Sequence, residues 1–170
     1  MRIVIVSDTH GRNDNFKKLM KTCGGADAVV HLGDVYMDAN SFRKLCPYPL
    51  YIVRGNGDFL GDLPKEETAQ FGKYKCLLIH GHDRAVYRGA LPLFYEAKER
   101  GFDVVMFGHT HRPSVQTQEG VTVLNPGSLS FPRQENGRPS WILMDIDDKG
   151  EAHYNINYLD GRDREYVFGY

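Results

Sequence analysis

The sequence predicts an α/β protein in which two packed β-sheets carry helices on their outer faces. Three observations predict it. Short β-branched runs alternate with amphipathic stretches over the first third of the chain. Hairpin patterns replace helical ones after His111. Five apolar runs end in the same way, with glycine beside Asp, Asn or His.

The elements follow in order. Residues 2–7 (Arg-Ile-Val-Ile-Val-Ser) form an apolar run of the kind buried on both sheet faces. Asn13 or Asp14 can cap a helix whose Phe16, Leu19, Met20 and Cys23 recur at i, i+3, i+4 and i+7, and Gly24-Gly25 ends it. Residues 28–32 are a second strand. A helix follows over 39–45, with Pro47 as its stop, and residues 50–54 are a third strand. This βαβαβ order implies parallel pairing with right-handed crossovers. Residues 75–80 and 103–107 are further strands. Between them Ala90, Leu93, Phe94 and Ala97 mark a helix with Pro92 in its first turn and Gly101 at its end. Residues 114–118 and 121–124 pair about Glu119-Gly120. Residues 141–146 and 153–158 pair about 147–150. Residues 125–139 are a long Gly-, Pro- and Ser-rich loop, a length often associated with a site.

With 170 residues and no linker or repeat, residues 1–170 are expected to form a single domain. Lys plus Arg number 21 and Asp plus Glu 22, a balance that argues against a general nucleic-acid or anionic-membrane binder. Cys23, Cys46 and Cys76 are an odd set without metal-site spacing and read as reduced thiols. No apolar run is long enough for a signal-peptide core or a membrane span, so a cytoplasmic location is expected.

The polar residues at the strand ends suit a pair of divalent metals. The five segments are Ser7-Asp8-Thr9-His10-Gly11, Gly33-Asp34, Arg54-Gly55-Asn56-Gly57-Asp58, His80-Gly81-His82 and Gly108-His109-Thr110-His111. Ligands of open α/β sheets bind outside the carboxyl ends of strands. Asp8 and His10, two apart, can converge on one ion as the strand unwinds, and so can His109 and His111. Asp34 can bridge two cations, and Asn56 offers a neutral oxygen. Mixed carboxylate, imidazole and amide ligands suit Mn²⁺, Fe, Zn²⁺ or Ni²⁺ better than Mg²⁺ or Ca²⁺.

D-x-H, G-D, G-N-x-D, H-G-H and G-H-T-H, in that order, resemble the calcineurin-like metallophosphoesterase superfamily. The length and Asn125-Pro126-Gly127-Ser128 resemble its small YfcE-type phosphodiesterase branch. The resemblance runs from Ile3 to about Met144. It implies a four-layer αββα sandwich of two mixed sheets flanked by helices. It also implies one metal on Asp8, His10 and His111, another on Asn56, His80 and His109, and Asp34 between them. Mn²⁺ is favoured, with Ni²⁺, Zn²⁺ or Fe as alternatives. Such a centre implies a metal-dependent phosphoric ester hydrolase, in which a bridging hydroxide attacks phosphorus in line. The implied partner is a small phosphate-ester substrate, with no stable nucleic acid and no membrane, and a homo-oligomer is permitted.

Two departures stand out. Many members carry a histidine, able to protonate the leaving group, at the position of Gly57; this favours diesters or activated esters here. Asp38 falls one residue beyond the second carboxylate of the family's G-D-x-x-D and is not expected to bind metal. The rival reading is a catalytically weak or inactive binding scaffold of the Vps29 kind. His31, inside an apolar strand, reads as a hydrogen-bonded core histidine, and His153 as exposed. Asp58 either orients Asn56 or caps its turn. Arg12, Arg54, Ser128 and Arg133 are candidates either to meet phosphate or to serve at the surface or in stabilising loops, and Tyr166, Phe168 and Tyr170 could dock against a subunit, pack on their own domain or fray.

Overall fold

Alternating apolar residues divide most central strands between two different cores, and that division generates the layers. The structure is a computed structural model that describes residues 1–60, 62–159 and, for the backbone, 164–167. The first sheet contains β1 (Arg2–Val6), β2 (Ala28–His31), β3 (Leu50–Ile52), β9 (Ser140–Ile146), β10 (Ala152–Tyr158) and β11 (Arg164–Val167). Its order is β11-β10-β9-β1-β2-β3, with β1, β2 and β3 parallel. The second contains β4 (Glu66–Phe71), β5 (Tyr74–Ile79), β6 (Val104–Met106), β7 (Pro113–Gln118) and β8 (Val121–Pro126). Its order is β4-β5-β6-β8-β7, with β5, β6 and β8 parallel.

In β1, Ile3 and Ile5 face a central core shared with Cys76, Leu78, Val104 and Met106 of the other sheet. Val4 and Val6 face the opposite way, onto Phe16, Leu19 and Phe42. Those aromatic and aliphatic groups come from α1 (Asp14–Thr22) and α2 (Ala39–Arg43). In β5, Leu77 and Ile79 turn outward onto Leu93, Phe94 and Ala97 of α3 (Leu91–Arg100). The result is the expected helix–sheet–sheet–helix sandwich, held by three apolar interfaces. Among the described residues no helix is long and apolar enough to cross a membrane.

The predicted elements recur with small shifts. Pro92 sits in the first turn of α3, and Gly101, at φ 68°, closes it. Asn13 occupies the N-cap of α1 but does not cap it; its amide turns instead to the Met37 sulfur. β4 and β11 are additions. β4 is an edge strand rich in Glu and Gln, with only Ala69 and Phe71 turned into the core. The docking role considered for Tyr166, Phe168 and Tyr170 falls outside the described residues.

His31 is a core residue, as expected. Its ring is fully buried, with the Phe42 ring edge-on at 4.9 Å. The Gly33 N–H lies 3.2 Å from Nδ1, so Nδ1 accepts and Nε2 carries the hydrogen toward Thr9 Oγ1, also at 3.2 Å. Burial drives its pKa from 6.5 down to about 4, against the pull of Asp58 and Asp8. Between those values the unfolded chain binds a proton that the folded chain refuses, so stability falls as pH falls. Acidification from pH 7 to pH 4.5 should cost roughly 2 kcal/mol through this residue. Denaturation of the native chain and of His31→Gln at both pH values checks it. The variant should start less stable and lose correspondingly less on acidification; equal losses would exclude His31 as the source.

Candidate metal centre

The carboxyl ends of β1, β2 and β3 in one sheet and of β5 and β6 in the other meet at one edge of the sandwich. The backbone there is unusual. Asp8 (φ 55°), His10 (φ 46°), Asp34 (φ 57°), His109 (φ 67°) and His111 (φ 59°) all adopt left-handed conformations, as does Tyr36 (φ 58°). Non-glycine residues rarely do so, and they cluster where a structure holds functional groups under strain.

The loops brace one another. The Asp8 N–H donates to Gly33 O at 3.1 Å and the His10 N–H to Asp34 O at 2.8 Å. Asp58, which is buried, accepts four backbone N–H groups. Oδ2 takes those of Asp34 (2.8 Å) and Gly55 (2.9 Å), and Oδ1 those of Val35 and Tyr36 (both 2.8 Å). It therefore ties the loop after β2 to the loop after β3. At Gly55 a side chain is excluded, since a Cβ there would lie 2.1 Å from Asp34 Oδ1. Ser128 performs the same service for the long loop. Its hydroxyl donates to Asp8 O at 2.7 Å and accepts the N–H groups of Ser130 and Phe131. Ser128 is fully buried and so does not meet substrate.

Seven side chains were candidates for metal. Asp8, His10 and His111 offer ligand atoms within 4.8 Å of one another, and so do Asp8, Asp34 and His80. Asn56 Oδ1 lies 3.1 Å from His80 Nε2. The His109 ring stands 5.2 Å from the His80 ring, outside the two tight sets, and its backbone N–H donates to Asp8 Oδ2 at 3.1 Å. His82 is exposed, with its ring 5.5 Å from that of His80. Asp38 is remote in role: its carboxylate caps α2 through the Ser41 N–H.

Hydrogen bonds fix which atoms face inward. His111 Nδ1 lies 2.7 Å from Phe131 O and His80 Nδ1 lies 2.6 Å from Leu32 O. A carbonyl can only accept, so both Nδ1 atoms carry hydrogen and, in the neutral rings, both Nε2 lone pairs point into the site. His111 Nε2 then faces Asp8 Oδ1 at 3.1 Å and His10 Nε2 at 3.2 Å. His80 Nε2 faces Asn56 Oδ1. Asp8 Oδ1 is buried with no donor of its own. Asp34 Oδ1 is occupied by the Gly57 N–H at 2.7 Å, while Oδ2 lies 3.8 Å from His10 Nε2 and 3.6 Å from His80 Nε2. Carboxylate, imidazole and amide groups converging at these distances could hold a cation between them.

The electrostatics agree. Burial would raise the Asp8 carboxyl, but the imidazoles of His10, His111 and His80 hold it far below the usual carboxylate range. Burial opposes a charge on His111, yet Asp8 raises its pKa. Burial and the neighbouring His80 lower His109.

Two features were not anticipated from sequence. At Gly57 a Cβ would lie 2.1 Å from Tyr36 Cε1, so the Tyr36 ring fills the space of the missing histidine. Asp58 was legible only as a turn or orienting residue; its three long-range bonds, from Asp34, Val35 and Tyr36, leave no local signal.

Comparison with known proteins gives a consistent picture. The family model of the calcineurin-like phosphoesterase superfamily domain matches residues 1–149. A probable metallophosphoesterase of Bacillus subtilis, YsnB, is 34% identical over 134 residues, 78% of each chain. Among solved structures, Vps29 from Entamoeba histolytica superposes with a TM-score of 0.81 at 23% identity, covering 98% of both chains. An archaeal phosphodiesterase gives a TM-score of 0.71 at 22% identity, covering 92% of this chain and all of that one.

Replacing Asp58 by Ala should strand four buried N–H groups and release both loops. We expect a loss of about 3 kcal/mol or more, seen as a melting temperature lower by about 10 °C. Asp58→Asn should fall between the two. A melting temperature unchanged in Asp58→Ala would exclude this bracing role.

Proposed function

The chain belongs to the calcineurin-like phosphoesterase superfamily, and on that premise we propose that it is a metal-dependent phosphodiesterase with two divalent ions, Mn²⁺ foremost. The observation that carries this reading is the convergence of side-chain ligand atoms at the strand ends: His111 Nε2 lies 3.1 Å from Asp8 Oδ1 and 3.2 Å from His10 Nε2, and His80 Nε2 lies 3.1 Å from Asn56 Oδ1. Imidazole, carboxylate and amide oxygen together fit a borderline divalent ion such as Mn²⁺, Zn²⁺, Ni²⁺ or Fe²⁺. Asp8, His10 and His111 would hold one ion, and Asn56, His80 and His109 the other. Asp34 Oδ2, between His10 and His80, would serve both. When bound, such ions supply Lewis acidity toward phosphoryl oxygens and a water acidified to near-neutral pKa.

The remaining residues bind and orient. The carbonyls of Phe131 and Leu32 lock the two imidazoles in the tautomer that presents Nε2. Arg12 and Arg133 line a groove beside His10 and His111 and can neutralise phosphate charge. Arg133 also lines a second groove that reaches His109 between Tyr87 and Phe107. Two grooves with a shared arginine suit a phosphate bearing two ester groups. The absence of a histidine at position 57 points the same way, because poor leaving groups gain most from a proton donor.

Metal-stripped protein should regain hydrolysis of bis-p-nitrophenyl phosphate when Mn²⁺ is added, with about two ions bound per chain. Asp34→Asn and His109→Ala should each lose more than about a hundredfold in rate. His109→Ala should also weaken one ion while sparing the other. Bound metal without turnover would favour the scaffold reading instead.

A further inference from the structure

The groove beside His10 and His111 is walled by two exposed aromatic rings. Tyr36 is 49% exposed and Phe131 40%. Both stand edge-on to the His10 ring, with centroids at 4.7 and 5.3 Å. The Arg12 guanidinium lies 4.4 Å from the Phe131 centroid, and Arg133 completes the rim. The volume is about 640 Å³, within the range of small-molecule sites.

The rings are held there. The left-handed Tyr36 backbone is pinned by Asp58, which accepts its N–H at 2.8 Å. The Phe131 N–H donates to Ser128 Oγ at 2.8 Å, and its carbonyl is the acceptor of His111. The atoms that position both rings are thus the atoms that position the candidate ligands. The close approach of Tyr36 to Gly57 makes the same point: the chain has glycine where the ring needs room. Exposed rings beside two guanidiniums combine a stacking surface with an anion site. That combination suits a ligand with a planar group attached to a phosphate.

We propose that Tyr36 and Phe131 form a stacking subsite for the planar ester group of the substrate, a nucleobase or aryl group, so that the preferred substrates are nucleotide-like phosphodiesters. This rests on the phosphoesterase reading, but it can be tested without turnover. Binding of adenosine 5′-monophosphate and of ribose 5-phosphate to the Mn²⁺-loaded protein is compared by calorimetry. The base should tighten binding about tenfold. Tyr36→Ala and Phe131→Ala should each erase most of that difference while leaving ribose 5-phosphate unaffected. Tyr36→Phe should preserve it, because the ring and not the hydroxyl does the stacking. Equal affinity for the two ligands in the native protein, no binding of the nucleotide, or a preference that survives both alanine variants would overturn the subsite. Base preference without hydrolysis of any diester would support it and overturn the diesterase reading alone.

Discussion

The site depends on holding five candidate ligand residues in left-handed backbone. Asp8, His10, Asp34, His109 and His111 all lie there, and none is a glycine. Each such conformation costs on the order of 1 kcal/mol or more, so the surrounding structure must supply the difference. It does so with hydrogen bonds between loops that belong to different strands. The loop after β1 lies against the loop after β2 through Asp8, His10 and Gly11. Asp58 joins the loop after β2 to the one after β3. Ser128 fastens the long loop onto Asp8. The contacts that join one loop to another are not local in sequence. They form because the two sheets deliver their carboxyl ends to one edge.

That arrangement also sets the chemistry of each candidate ligand. In β1, Ile3 and Ile5 fill the core between the sheets and Val4 and Val6 pack on the helices. A strand anchored on both faces gives Asp8 little freedom at its end. The buried carboxylate spends Oδ2 on the His109 N–H and keeps Oδ1 free. His80 and His111 spend Nδ1 on carbonyls and keep Nε2 free. Asp34 spends Oδ1 on the Gly57 N–H and keeps Oδ2. In each case one polar atom is used for orientation and the other is left for the site.

Much of this was legible in the sequence, for a physical reason. Apolar strands ending in Gly with Asp, Asn or His are local patterns, and the candidate site residues sit within five positions of the strand end. The parallel core strands and both hairpins of the second half were therefore readable. What was not readable depends on partners far along the chain. β4 has an edge strand's composition, and only its pairing with β5 makes Glu66–Phe71 extended. Ser128 reads either as a phosphate contact or as a loop-stabilising residue, and Asp8 lying beside it makes it a buried brace. Gly57 reads as a lost functional group, yet the space is taken by Tyr36, 21 positions earlier in the chain. A glycine says that a side chain is absent; it does not say what stands in its place.

The same physics bears on whether a chain of this fold catalyses or merely binds. Vps29 shares the sandwich with a TM-score of 0.81, so the fold itself does not decide. The features at the strand ends are a different matter. Left-handed aspartates and histidines, a buried carboxylate oxygen without a donor, and imidazole lone pairs facing other acceptors all disfavour the folded state when taken alone. A protein that uses only its outer surface gains nothing from retaining them. A cation drawn in by those acceptors would return the lost stability through binding that the unfolded chain cannot match. The strain and the facing lone pairs are therefore better understood as one feature. The backbone is held in a costly shape, and that shape gathers polar ligand atoms that positive charge would stabilise.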